Sequence, residues 1–113
     1  MEKLKKSLYE GMYILSATLS EDSRKKALDK ILNGITEKGG SIDKTHDLGR
    51  KRLAYTIDNK REGYYYLIYF SAPCAAISEL WKEYHLHEDL LRFITMKAEE
   101  VMEELRFQPL KQQ

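Results

Sequence analysis

Seven consecutive residues, Tyr64-Tyr65-Tyr66-Leu67-Ile68-Tyr69-Phe70, are β-formers with no charged side chain among them. A strand with one wet face would alternate apolar and polar residues. This run does not alternate, so it suits a strand covered on both sides in the middle of a sheet. At 113 residues the chain is one domain, large enough for a single substantial core. Being 33% charged and 42% hydrophobic, it has an ordinary soluble globular composition.

The flanking segments indicate what surrounds that strand. Tyr9 to Ser16 reads as a first strand. Thr18 follows as an expected helix N-cap, with Glu21 three residues later and acids in the first turn. Ala27, Leu28, Ile31, Leu32 and Ile35 recur at helical spacing, and Gly39-Gly40 stops the helix. Ser41 to about Asp58 reads as a long second strand with a bend or bulge near Gly49. A polar turn at Asp58 to Gly63 leads into the third strand. Pro73 is expected in the first turn of a second helix, with Ile77, Leu80, Trp81 and Tyr84 as its buried stripe. Leu90 to Lys97 is the last strand. Right-handed crossovers fold this order into a ferredoxin-like βαββαβ α+β domain, an antiparallel sheet with both helices on one face. The other sheet face, or the sheet edges, then await solvent or a partner.

The expected organisation is a basic N-terminal leader over 1–8, the domain over 9–97, and an acidic tail over 98–113. In that tail Ala98, Val101, Met102 and Leu105 have helical spacing, opposite Glu99, Glu100, Glu103 and Glu104. No apolar stretch approaches the ~20 residues of a membrane span, and the basic leader precedes no secretory apolar core. One cysteine, Cys74, fits a reducing cytoplasm.

Catalytic patterns are absent from the sequence. His85 and His87 would share a face of a strand, but a structural metal site wants four ligands and no cysteine stands near them. Surface histidines are the expected reading, with no metal and no cofactor. Cys74 beside a helix start could have a lowered pKa, yet no neighbouring base is implied. There is neither a glycine-rich phosphate loop nor a Ser/His/Asp pattern.

Charge is unevenly placed. Residues 1–61 hold 14 Lys and Arg against 9 Asp and Glu, whereas residues 62–113 hold 5 against 9. With a net charge of +1, any polyanion must be met by a local patch, helped by a partner. Arg50-Lys51-Arg52, between Gly49 and the strand-like Leu53-Ala54-Tyr55, is the obvious candidate. Such a run either neutralises phosphates or guards a sheet edge against unwanted pairing.

The wording around these cations, Leu48-Gly49-Arg50-Lys51-Arg52-Leu53-Ala54-Tyr55-Thr56-Ile57, resembles the bacterial small-subunit ribosomal protein six family. Tyr9-Glu10, Gly63-Tyr64-Tyr65, Ala72-Pro73, Ile77-Ser78-Glu79-Leu80, Leu90-Leu91-Arg92-Phe93 and Met96-Lys97 continue the resemblance in order. Thr56 departs from it, standing where the family usually has proline. The resemblance implies a structural protein of the small ribosomal subunit, cytoplasmic and not an enzyme. It further implies pairing with ribosomal protein eighteen and binding to the central domain of small-subunit ribosomal RNA, with no DNA or membrane partner. Arg50, Lys51, Arg52, Arg92 and Lys97 are the expected phosphate contacts, which position the protein rather than read sequence. Arg92 has an alternative partner in Asp89 or Glu88.

Two other classes share the fold. A small-molecule regulatory or dimerisation domain would need a pocket with convergent polar groups. An acylphosphatase-like enzyme would need an anion-cradling loop after the first strand, and Ala17-Thr18-Leu19-Ser20 contains neither glycine nor arginine. The tyrosines of the third strand suit core packing or a protein interface better than base stacking, because that strand carries no cation.

Overall fold

The computed structural model describes residues 6–57 and 60–101, with side chains at all of these except 54–57 and 60. The elements follow in the order β1 (Lys6–Ser16), α1 (Glu21–Glu37), β2 (Ser41–Ile57), β3 (Lys60–Pro73), α2 (Cys74–His85) and β4 (Leu90–Lys97). They form an antiparallel four-stranded sheet in the order β2-β3-β1-β4 with two helices, the ferredoxin-like arrangement. The aromatic run lies on β3, an inner strand, as its lack of alternation requires.

One face of the sheet carries the main core. Tyr9, Tyr13 and Leu15 of β1 and Tyr66, Ile68 and Phe70 of β3 pack against Ala27 and Ile31 of α1 and Leu80 and Tyr84 of α2. Gly11 lies between Tyr9 and Tyr13, and the Tyr13 ring folds across it: a Cβ there would meet the Tyr13 hydroxyl at 2.6 Å. That fold of the ring lets the Tyr13 and Tyr84 hydroxyls share a buried 2.8 Å hydrogen bond. On the opposite face Ile14, Leu53, Leu67 and Tyr69 are also buried, while Ile94 and Met96 of β4 are each more than half exposed.

Several boundaries differ from expectation for local reasons. Strand β1 begins at Lys6, so Lys6, Ser7 and Leu8 pair with Pro73, Ala72 and Ser71. The N-cap of α1 is Ser20 rather than Thr18. The Ser20 side chain accepts from the Ser23 N–H, and the Thr18 hydroxyl turns back to Ser16 at 2.8 Å. Pro73 ends β3 and stands as the N-cap of α2 with extended backbone, one residue outside the helix. Trp81 is 55% exposed, not part of the buried stripe; Ala76 joins Leu80 and Tyr84 instead. His87 is buried rather than superficial. Its Nδ1 accepts from the Asp89 N–H, and its Nε2 lies 3.4 Å from the Ala27 carbonyl.

The expected bend in β2 is present. Gly49 has φ +81°, a conformation that costs an L side chain about 1–2 kcal/mol, and the pairing register with β3 shifts between Asp47 and Gly49. The Asp47 carboxylate accepts from the Gly49 N–H at 2.9 Å, closing the bulge with its own side chain. Pairing of β1 with β3 ends at Ser16 opposite Gly63, whereas β2 and β3 remain paired to Ile57 and Lys60. Beyond Gly63 the sheet therefore narrows to a two-stranded ribbon. Residues 98–101 are irregular, although the Ala98 N–H still bonds to the Leu8 carbonyl. The rest of the expected tail helix, and residues 1–5 of the leader, lie outside the described residues.

Candidate nucleic-acid interface

Strand pairing decides where each cation points. Arg50 stands opposite Tyr64, Lys51 opposite Gly63 and Arg52 opposite Glu62. Tyr64 shares its face with Tyr66, so Arg50 and Arg52 lie on the helix side of the sheet and Lys51 on the uncovered side. All three are exposed. The run is continuous in sequence but divided between two surfaces.

Arg50 already has a partner. Its Nε donates to Glu62 Oε1, and that contact raises the guanidinium pKa further above its ordinary range. Next to this pair, Arg24 of α1 lies over the Tyr64 ring, 4.0 Å from its centroid. Arg24, Arg50 and Arg52 thus gather near the start of α1 and the base of the ribbon. Arg24 was missed in the sequence because its position on α1 reads as an ordinary solvated one.

The remaining candidates occupy the far edge. In β4, Arg92 stands opposite Ile14 and Lys97 opposite Tyr9, so they too face opposite ways. Arg92 shares the uncovered face with Lys51. Both lie toward the same end of the sheet, at opposite edges, with Ile14 and Tyr65 between them. Three strand spacings of about 4.8 Å separate the edges. Lys97 lies instead near the start of α2, where its charge helps lower the pKa of the Cys74 thiol.

That lowering comes first from hydrogen bonds, from the Tyr9 hydroxyl at 3.2 Å and then from Ser7. Both partners are hydroxyls, and neither is a base. Among the described residues no three His, Cys, Asp or Glu side chains are grouped to hold a metal ion. No described helix is long and apolar enough to cross a membrane. Of the tyrosines of β3, Tyr66 and Tyr69 are buried and Tyr64 lies under Arg24.

These features define a small ferredoxin-like α+β domain with exposed cations on both sheet edges and a partly apolar, helix-free sheet face. The family model for ribosomal protein S6 matches residues 8–97. The small ribosomal subunit protein bS6 of Protochlamydia amoebophila is 61% identical over 113 residues, covering 100% of this chain and 99% of that protein. The bS6 protein of Chlamydia pneumoniae is 62% identical over 110 residues, covering 97% and 98%. The crystal structure of 30S ribosomal protein S6 from Thermotoga maritima is similar with a TM-score of 0.79 at 29% identity, over 83% of this chain and 89% of that one. The chain belongs to the ribosomal protein S6 family, a family of small-subunit proteins of the cytoplasmic ribosome.

Proposed function

We propose that this protein is a structural, non-catalytic component of the small ribosomal subunit that binds the central domain of its RNA together with ribosomal protein eighteen. The observation that carries the reading is the cationic base of the β2–β3 ribbon, in a molecule whose net charge is only +1. Phosphates meeting Arg52 and Arg24 on one side and Lys51 on the other would hold the ribbon across a groove edge. Arg92 adds a second point on the Lys51 face, and Lys97 one near α2. These contacts position the protein, while a basic partner supplies the charge this chain lacks.

Gel-shift titrations of the central-domain RNA with this chain, alone and with the partner, test the reading. Weak binding alone and much tighter binding of the pair are expected; equal affinities would sink the cooperative reading. Replacing Arg50, Lys51 and Arg52 together by alanine should lower the slope of log K against log salt by about 0.7–0.9 for each phosphate no longer neutralised. The variant should stay folded, since exposed charges usually contribute under ~0.5 kcal/mol. An unchanged slope would return the run to the role of edge guard.

A further inference from the structure

Tyr65 is the tyrosine of β3 that neither the core nor Arg24 covers, and it is only half-buried. It alternates with Tyr64 and Tyr66, which face the helices, so its ring stands on the helix-free face. Strand pairing fixes its neighbours. Across the sheet, Gly49 of β2, Tyr65, Ile14 of β1 and Arg92 of β4 stand side by side. The bulge in β2 decides the first of these: without the register shift after Asp47, Leu48 would stand opposite Tyr65. Gly49 brings no side chain there, and nothing lies within 4 Å of where its Cβ would be. Lys51 is the next residue of β2 on the same face, diagonal to Tyr65. Such diagonal neighbours are ~7–8 Å apart, within reach of a long side chain.

Charge on this face is graded along the strands. Lys51 and Arg92 are exposed and flank Tyr65 from the two edges. The acids that β1 and β2 bring to the face stand at its other end, Glu10 opposite Tyr69 and Asp43 bonded to the Ser71 hydroxyl at 2.9 Å. Glu88 and Asp89, before β4, line a hollow with Lys26 and Lys30 of α1. A polyanion that meets both Lys51 and Arg92 has to cross the sheet between them. Three strand spacings of about 4.8 Å and two residues at about 3.4 Å separate the two positions, a path on the order of 16 Å. That path passes over Tyr65 and Ile14. We infer that Tyr65 is a stacking platform for an unpaired RNA base whose backbone runs from Lys51 toward Arg92. An open aromatic ring on a sheet face, with cations beside it, is the chemistry by which single-stranded RNA is held. A basic protein laid over the same end would meet like charge at both edges. The inference rests on the RNA-binding reading above and names the surface and the kind of nucleotide it takes.

The test follows the base itself. The full chain is titrated with a dye-labelled, ten-nucleotide RNA of uridines and with a duplex of equal length, read by anisotropy. The same single strand carrying 5-iodouridine is then irradiated, which joins it to an aromatic ring on which it stacks, and mass spectrometry finds the residue. The adduct should fall on Tyr65. Tyr65→Leu keeps apolar bulk on the sheet but removes the ring. It should weaken single-strand binding about five- to a hundred-fold, the range expected when one base stack is removed, and change duplex binding by less than about twofold. Tyr65→Phe should stay within about threefold. Thermal melts followed by circular dichroism check that both variants remain folded. An unchanged affinity in Tyr65→Leu, or adducts only on other residues, would overturn the platform while leaving RNA binding intact. Loss of pairing between Tyr65→Leu and ribosomal protein eighteen without RNA would give the face to the protein and overturn it too. Binding of the central-domain RNA but not of the single strand would sink the platform alone. Binding of neither would sink it together with the RNA-binding reading.

Discussion

At the residue scale, the Tyr13–Tyr84 pair is the most sensitive point of the core. Burial pushes the Tyr13 phenol up to about 12, and burial together with the Tyr13 hydroxyl raises Tyr84 further. Both folded values lie above the unfolded value of about 10, so their contribution is complete below pH 10 and is lost as pH rises through the folded values. Urea unfolding between pH 8 and pH 12 should therefore show stability falling steeply above about pH 10. For Tyr13 alone the loss is on the order of 2–3 kcal/mol. The double variant Tyr13→Phe, Tyr84→Phe should fall more gently over the same range. An equal fall in both proteins would show that other groups control alkaline unfolding. Little of this pairing was legible in the sequence. The helical spacing placed Tyr84 inside, but its partner depended on Gly11 leaving room for a ring. His87 escaped similarly, because its two hydrogen bonds join segments distant in sequence.

At the scale of elements, helical spacing gave the core face of α1 directly, the last strand stands at Leu90–Lys97 as expected, and Gly49 marked the bulge in β2. The ends of elements were harder to read, since Ser20 and Thr18 are both competent caps and only backbone geometry chooses between them. The facing of Arg50, Lys51 and Arg52 was not legible at all. It depends on pairing parity, and the pairing with β3 shifts between Ile42 and Lys44, between Asp47 and Gly49, and between Arg52 and Ile57. Trp81 was misassigned because the buried stripe of α2 is narrower than its apolar residues suggest. The bulge itself can be tested. Nothing lies within 4 Å of where a Cβ on Gly49 would stand, so Gly49→Ala meets only the backbone penalty. Chemical denaturation should show a loss of about 1–2 kcal/mol. No loss would mean that this backbone conformation is not required.

At the scale of the molecule, Arg50, Lys51, Arg52, Arg92 and Lys97 stand on the two edge strands of the sheet, and its interior is aromatic and aliphatic. The narrowing beyond Gly63 also makes the domain unequal in cohesion. Amides of Tyr66 to Phe70 are held by strands on both sides, whereas Glu62 pairs with β2 alone. A two-stranded ribbon is marginal by itself in water, so it should open without the rest of the sheet unfolding. Hydrogen exchange should accordingly be fast at Arg52 and Glu62 and limited by global unfolding at Tyr66, Ile68 and Phe70. Uniform protection across both groups would show that the ribbon shares the stability of the body. If the gradient is present, Arg52 rides on the part of the protein that costs least to rearrange. On the RNA-binding function proposed above, the ordering cost of docking then falls on the ribbon, and the four-stranded body arrives on its target already rigid. Slow exchange appearing at Glu62 only in the assembled particle would be the footprint of that late stiffening.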